Sequence, residues 1–173
     1  MQIVVEELPA APLRRRGTAE VTLAGDSEPE GFVVREPVSY DLTLTRHGSS
    51  VRIEGTVEAT LEAACHRCAE NVVVAVNRRF SEVFAPANER GGVLPAELDE
   101  SDLDLDYYEG DAIDGLQLLE EQILLGLPMK ILCAEGCKGL CVTCGADLNH
   151  TQCNCETDVD PRWSSLQGLR DRL

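Results

Sequence analysis

Apolar and polar residues alternate with a period of two along the first half of the chain, a pattern typical of antiparallel strands with one buried face. The clearest alternation covers residues 51–63, where Val51, Ile53 and Val57 share one side and acidic residues mostly occupy the other. Further strands are predicted at residues 3–7, 21–24, 38–45, 72–84 and 102–107. A sheet is therefore the main element that we expect in this fold.

One long helix is predicted at residues 115–126, where the apolar spacing changes from two residues to between three and four. Asp114 is placed to cap its first turn, Gln117 stands at the reciprocal position of a capping box, and Pro128 ends the helix. The apolar residues that recur at helical spacing are Leu116, Leu119, Ile123 and Leu127. This apolar face predicts that the helix packs across the sheet.

The tail after the last cysteine predicts a second, short helix at residues 160–169, with Asp160 as its cap. Trp163 is the only tryptophan of the chain and shares one face of this helix with two leucines. It is expected either to cover the neighbouring cysteine-rich segment or to anchor a partner, since tryptophan is enriched at binding hot spots.

The chain is strongly acidic, with 31 acidic against 15 basic residues among 173 and a formal net charge of −16. Such a chain repels nucleic-acid phosphates at long range, so basic proteins are its expected partners unless a local basic patch exists. Residues 91–129 contain no Lys or Arg. Their acidic side chains are expected either to keep an edge strand from pairing with other chains or to face a basic partner. The basic cluster at residues 14–16 predicts an exposed turn.

No window of the sequence is apolar enough to span a bilayer, and residues 1–8 lack the basic and apolar regions of a secretory signal. We therefore expect a cytoplasmic protein with no membrane partner. Thiols stay reduced in the cytoplasm, so clustered cysteines are expected to bind metal rather than to form disulfides.

The cysteines carry the strongest chemical signal. Six of the eight lie between Cys133 and Cys155, in a segment too polar and too rich in Gly to fold by apolar burial alone. The other two form a Cys-x-x-Cys motif at residues 65–68, where a hairpin turn is predicted, and this is the geometry of a zinc-ribbon knuckle. The candidate metal ligands are Cys65, Cys68, Cys133, Cys137, Cys141, Cys144, Cys153 and Cys155.

The spacing of the cysteines favours two zinc sites of four thiolates each. One site would be local, because short loops cost little closure entropy, and would use Cys141, Cys144, Cys153 and Cys155. The other would clamp the predicted hairpin to the segment after the helix and would use Cys65, Cys68, Cys133 and Cys137. Two alternatives stay open: Cys137 exchanges with Cys141, or His66 or His150 replaces a thiolate.

Other cysteine chemistry fits less well. Iron–sulfur motifs usually bring three or four cysteines to one cluster at two-residue gaps, which these spacings do not match. A thioredoxin-like redox pair would lie at the start of a helix, whereas residues 65–68 lie between two predicted strands. No nucleophilic triad or phosphate-binding glycine loop is found, so no catalytic residue is assigned and no small-molecule substrate is expected.

Six motifs of this chain occur together in one known family: Cys65-His-Arg-Cys68, Leu127-Pro-Met-Lys130, Cys137-Lys-Gly-Leu-Cys141-Val-Thr-Cys144-Gly145, Leu148-Asn149, Cys153-Asn-Cys155 and Asp160-Pro-Arg-Trp163. Over roughly residues 35–170 the chain thereby resembles the YceD family, a bacterial and plastid group. The resemblance implies a role in the accumulation of large-subunit ribosomal RNA, and therefore in ribosome assembly. Members are often encoded beside a small basic protein of the large ribosomal subunit, and no catalytic residue is assigned in the family.

The sequence thus predicts an α+β fold. An antiparallel, barrel-like β domain at residues 1–130 would contain an acidic loop at residues 86–112 and the main helix, and a zinc-ribbon module would follow at residues 131–173. The predicted function is that of a non-enzymatic zinc-binding factor in ribosome biogenesis, which binds a basic large-subunit ribosomal protein. The alternative is direct binding of ribosomal RNA or a pre-ribosomal particle through a basic patch of Lys130, Lys138, Arg162, Arg170 and Arg172.

Overall fold

The computed structural model describes residues 1–23, 31–89, 105–155 and 162. Its eight strands are β1 (Gln2–Val4), β2 (Leu13–Ala19), β3 (Val33–Val34), β4 (Val38–His47), β5 (Ser50–Ala64), β6 (Asn71–Pro86), β7 (Leu105–Tyr108) and β8 (Ala112–Asp114). A short 3-10 helix at Ala87–Glu89 follows β6, and the α-helix α1 covers Gly115–Gly126. The described residues thus form a mostly β structure with one α-helix, which confirms the α+β class.

The strands form one large sheet and one small one. In the large sheet the order is β2-β4-β5-β6-β7, with β3 paired to β5, while β1 and β8 pair with each other. The central hairpin joins β5 to β6 in antiparallel register from Val51↔Phe84 to Ala64↔Asn71. The alternating residues Val51, Ile53 and Val57 are fully buried, as their period of two predicts.

The large sheet is neither wholly antiparallel nor closed in the described part of the chain. β7 pairs parallel to β6, with Val83 opposite Leu105, and the two outermost strands β2 and β7 are not paired with each other there. The antiparallel pairing expected from the sequence is therefore confirmed for β2 to β6 and was wrong for β7. The barrel-like closure that was also expected is not seen among the described residues. Parallel pairing requires a long connection, which residues 87–104 supply.

The basic cluster at residues 14–16 lies inside β2, so the exposed turn predicted there was wrong. Arg15 and Gly17 occupy the positions where a half-buried strand usually shows apolar residues, which removed the period-two signal. Arg14 and Arg16 instead point to Asp41 of β4, with nitrogen-to-oxygen distances of 2.6 and 2.5 Å. Val21 and Leu23 are buried, but residues 21–23 do not form the predicted strand.

The helix α1 packs on the face of the large sheet that carries the buried side chains of β5 and β6. Leu118, Leu119 and Ile123 are almost fully buried, whereas Leu116 is 36% exposed and does not belong to the core. The Asp114 carboxylate accepts hydrogen bonds from the N–H groups of Leu116 and Gln117, so the predicted cap is present. The reciprocal bond of a capping box is not found among the described residues, and the Gln117 side chain donates to Glu121 instead.

A buried polar contact joins α1 to β6. Gln122 is completely buried, accepts a hydrogen bond from Nε of Arg78 at 2.9 Å and donates one to Glu82. Burial raises the pKa of the Glu82 carboxyl above its ordinary value, although the bond from Gln122 acts in the opposite direction. Satisfied polar pairs of this kind fix the position of the helix along the strand.

Three sequence predictions lie wholly or partly outside the described residues: residues 90–104 of the acidic loop, the start of the strand at 102–107, and the tail helix with Trp163. Arg170 and Arg172 of the candidate basic patch also lie outside them. Among the described residues, α1 is too short to cross a bilayer, and no other helix qualifies. The division at residue 130 stays a prediction.

Candidate metal centres

The cysteine sulfur atoms gather in two groups. In the first group, which we call the clamp cluster, the members are Cys65, Cys68, Cys133 and Cys137. In the second, the local cluster, the members are Cys141, Cys144, Cys153 and Cys155. Within each group all sulfur atoms lie within 4.8 Å of one another. This grouping matches the partition that the spacing favoured, and neither His66 nor His150 belongs to a group.

The sulfur spacing in the clamp cluster fits one tetrahedral metal ion. The Cys65 and Cys137 sulfur atoms are 3.9 Å apart, and those of Cys68 and Cys133 are 3.6 Å apart. Ligands bound at ~2.3 Å to a zinc ion stand about 3.8 Å apart at the corners of a tetrahedron. A disulfide would need about 2.05 Å between two sulfur atoms. Four thiols at this spacing could therefore hold a metal ion and do not form a disulfide.

Each cluster is built on a Cys-x-x-Cys turn, and the two turns have the same hydrogen bonds. In the clamp cluster, the Cys65 N–H donates to the carbonyl of Glu70, and the Ala69 N–H donates to the carbonyl of Cys65. In the local cluster, the corresponding bonds run from Cys141 to Ala146 and from Gly145 to Cys141. Such turns direct backbone N–H groups toward the first sulfur, as in zinc knuckles.

The residue after the second cysteine of each turn has a positive φ, 59° at Ala69 and 71° at Gly145. Glycine adopts this left-handed region without steric cost, whereas alanine pays a steric penalty because of its Cβ. The clamp-cluster turn therefore has a conformation that alanine does not favour, and the contacts around the turn must offset the free-energy cost of that conformation.

The clamp cluster joins parts of the chain that are distant in sequence. The turn at residues 65–70 connects β5 to β6, and α1 delivers the chain to Ile131 and Cys133. The His66 N–H donates to the Ile131 carbonyl at 2.9 Å, and the Cys133 N–H donates to the Cys65 sulfur at 3.4 Å. Ile131 is 2% exposed and packs with Ala63 and Val74. Hydrogen bonds and apolar packing within the protein therefore hold the two segments beside each other.

Arg67 connects the turn at residues 65–70 to the segment that contains Cys137 and Leu140. Its guanidinium donates to the Cys137 carbonyl at 2.7 Å, and its own carbonyl accepts from the Leu140 N–H at 3.0 Å. Gly139 lies directly over this carbonyl with φ +75°, and a Cβ at this position would stand 2.9 Å from the Arg67 oxygen. Only glycine fits both the backbone angle and the close approach.

The thiols of the clamp cluster differ in acidity. Burial acts against ionisation of Cys65, but backbone N–H groups of Cys68, Arg67 and Cys133 outweigh it and lower the pKa of Cys65 to about 6. Hydrogen bonds with Cys137 and Cys68 raise the pKa of Cys133 to about 12. Adjacent thiolates repel one another, so the four thiols cannot all be ionised unless a cation offsets their negative charge.

The local cluster repeats this pattern. The N–H groups of Cys144 and Thr143 donate to the sulfur of Cys141 and lower its pKa to about 6. The thiol of Cys144 raises the pKa of Cys155 to about 12. In each cluster, backbone N–H groups thus lower the pKa of one thiol and favour its thiolate form, which is the form that binds metal.

Sequence reasoning assigned no role to Arg67, Gly139 or Asn149. The side chain of Asn149 accepts a hydrogen bond from the Lys138 N–H at 2.8 Å and donates one to the Cys137 sulfur at 3.4 Å. Residues 148–149 form one of the family-like motifs, so a signal was present in the sequence, but it carried no indication of this contact.

The fold and the clusters define a class of protein. It is an α+β protein in which most elements are strands, with two groups of four cysteines that could hold metal ions. The chain belongs to the YceD family, because the family described as "Large ribosomal RNA subunit accumulation protein YceD" matches residues 53–170. The resemblance inferred from the motifs is thereby confirmed.

Relatives of the chain occur in plants and bacteria. It is 29% identical to the chloroplastic large ribosomal RNA subunit accumulation protein YCED homolog 1 of Zea mays, over 92% of this chain and 63% of that protein. It is 24% identical to the protein of the same name from Arabidopsis thaliana, over 79% and 50%. It is 30% identical to an uncharacterised protein of Mycobacterium tuberculosis, over 75% and 60%.

The chain spans between half and just under two thirds of the length of these relatives. No solved structure shows a significant match to it.

Proposed function

We propose that this protein supports the accumulation of large-subunit ribosomal RNA as a non-enzymatic factor in ribosome biogenesis. Family membership over residues 53–170 is the observation that carries the proposal. The two plant relatives bear this role in their names, and the family description names the accumulation of an RNA and no reaction.

In this role the eight cysteines hold two zinc ions that stabilise the fold. The sulfur spacing within each cluster supports this proposal. A zinc ion with four thiolate ligands has no open position for water or substrate, so such ions supply structure rather than catalysis. The clamp ion would join the β5–β6 turn to the segment after α1. The local ion would fold the chain from Cys141 to Cys155, within a module of residues 131–173 beside the β domain of residues 1–130.

The partner that we propose is a basic protein of the large ribosomal subunit. The formal net charge of −16 supports a basic protein over a bare phosphate backbone, because like charges repel at long range. Part of this charge surrounds a recess of about 510 Å³ between β7, β8 and the start of α1. The acidic residues that line the recess are Asp106, Glu109, Asp114 and Glu121.

A binding titration with basic large-subunit proteins tests the partner. Binding should weaken strongly between about 0.15 M and about 1 M ionic strength, because exposed charges are screened. The pair Asp106→Asn with Glu109→Gln should weaken it about tenfold. The matched pair Glu54→Gln with Glu58→Gln removes the same charge from the opposite face of the sheet and should change it little. Equal loss in both pairs, or no binding, would refute this partner surface.

Direct RNA binding is the alternative, and the exposure of Lys130 and Lys138 near the clamp cluster favours it. RNA affinity with a steep salt dependence, lost when both lysines are changed to alanine, would support this alternative. Binding of a basic protein without measurable RNA affinity would support the first proposal.

The role itself is tested in cells that lack the protein. Their ratio of large-subunit to small-subunit ribosomal RNA should fall and should return with the wild-type chain. A Cys68→Ser variant should fail to restore it, whereas His150→Ala, which alters an exposed residue outside both clusters, should succeed. An unchanged ratio in the deletion strain would refute the proposed function.

A further inference from the structure

The loop of the local cluster touches a sulfur atom of the clamp cluster. Asn149 lies between Cys144 and Cys153, yet its Nδ2 donates to the Cys137 sulfur at 3.4 Å. Its Oδ1 accepts from the Lys138 N–H at 2.8 Å. One side chain thus contacts both a clamp-cluster cysteine and the backbone next to it.

The orientation of the Asn149 amide follows from its neighbours. The Lys138 N–H can only donate, so it must face the amide oxygen. The amide nitrogen then faces two acceptors, the Cys137 sulfur and the Asp147 carboxylate at 2.8 Å. The opposite orientation would place a donor against a donor and an acceptor against two acceptors, so only one orientation satisfies all three contacts.

The loop that carries Asn149 lies between two cysteines of the local cluster, Cys144 and Cys153, and is bonded through its backbone to residues 139–141. Leu148 donates its N–H to the Gly139 carbonyl at 2.9 Å, and Cys141 donates to the Ala146 carbonyl at 2.8 Å. Leu140 and Asp147 form an antiparallel bridge. On the other side, the Leu140 N–H reaches the Arg67 carbonyl. The segment of residues 137–141 is therefore shared, with the clamp cluster at one end and the local cluster at the other.

We infer that Asn149 couples the two candidate metal sites: an ion in the local cluster fixes the loop that places the Asn149 amide on the Cys137 sulfur. An N–H bond to a metal-bound thiolate disperses its charge and fixes its direction. Outer contacts of this kind typically change metal affinity by about 10–100-fold. Coupling between sites is reciprocal, so loading the clamp cluster also raises the affinity of the local one. The inference rests on the proposed metal sites.

Cadmium-113 titration of the full chain, followed by NMR with a competing chelator, tests the coupling. Each loaded cluster should give a separate resonance, assigned from Cys65→Ser and Cys144→Ser. Asn149→Ala should lower the cadmium affinity of the clamp cluster about tenfold. Asn149→Asp keeps the acceptor for Lys138 but replaces the donor to sulfur by a negative charge, so it should lower the affinity at least as much. The adjacent control His150→Ala should leave the affinity within about twofold of wild type.

A double-mutant cycle separates coupling from a purely local contact. Cys144→Ser should lower clamp-cluster affinity about tenfold in the wild-type background, and much less in the Asn149→Ala background. Two resonances with unchanged affinities in both Asn149 variants would overturn the inference while leaving the metal sites in place. An equal Cys144→Ser effect in both backgrounds would also overturn it. A wild-type chain that binds no cadmium would overturn the metal sites and the coupling together.

Discussion

At the scale of the residue, Asp41 is the point on the exposed face of the sheet where two arginines meet. Arg14 donates to both oxygens of its carboxylate, and Arg16 donates to one of them. These hydrogen bonds, first that of Arg14 and then that of Arg16, hold the pKa of Asp41 well below its ordinary value. A carboxyl group whose pKa is lowered by folding stabilises the fold above its unfolded pKa and ceases to do so as pH falls through its folded pKa.

Asp41→Asn should therefore unfold at lower urea concentration than wild type at pH 7. The difference should shrink as pH falls below about 4, where the carboxyl of the unfolded chain becomes protonated. Urea titrations of both chains from pH 7 to pH 3 measure this. A difference that does not vary with pH would show that the charge of Asp41 is irrelevant to stability.

Gly139 makes a second residue-scale prediction. Gly139→Ala should lower the free energy of unfolding by about 1–2 kcal/mol or more, because alanine is strained at positive φ and its Cβ would approach the Arg67 carbonyl. The control is Gly136→Ala in the same segment, where no atom lies within 4 Å of an added Cβ. Equal stabilities of the two variants in urea would contradict the close approach.

Residue identities were predictable where the chemistry is local. Cysteine spacing alone favoured the two groups of four sulfur atoms that the structure brings together. The contact of Asn149 with Cys137 was not predictable, because it depends on how two loops fold against each other. The left-handed conformation of Ala69 was missed because alanine carries no signal for it.

At the scale of the element, the helix shows how far local signals reach. Its bounds, Gly115–Gly126, agree with the predicted residues 115–126 because a cap and a proline mark its two ends. The long strands were recognised by alternation, whereas β2 was missed since arginines occupy it. The parallel pairing of β7 was missed because pattern gives strand identity but not strand order.

Removal of the helix cap gives the prediction at this scale. Asp114→Ala should lower the free energy of unfolding by about 1 kcal/mol, since two N–H groups lose their acceptor. Gln117→Ala should change it by less than about 0.5 kcal/mol, because the bond that the Gln117 side chain donates to Glu121 is an exposed i,i+4 contact rather than part of a capping box. Urea unfolding followed by circular dichroism distinguishes these results. A larger loss in the Gln117 variant would contradict this account of the cap.

At the scale of the whole molecule, the clamp cluster brings together Cys68 and Cys133, which are 65 positions apart in the sequence. The residues between them contain β6, β7, β8 and α1, so a metal ion there would tie the turn of the central hairpin to the segment after the helix. A structural zinc ion contributes about 10–16 kcal/mol in peptide sites, comparable with the entire net stability of a domain. The ions, if bound as proposed, would therefore decide whether the cysteine-rich segment is folded.

The most direct test of this account is the number of zinc ions per chain, measured by native mass spectrometry on wild type, Cys65→Ser and Cys144→Ser. Wild type should bind two zinc ions. Cys65→Ser should lose the ion of the clamp cluster and Cys144→Ser that of the local cluster, so each variant retains mainly one. Only one zinc ion in wild type, lost with Cys144→Ser but kept in Cys65→Ser, would contradict the clamp and would leave Cys65 and Cys68 as a free thiol pair.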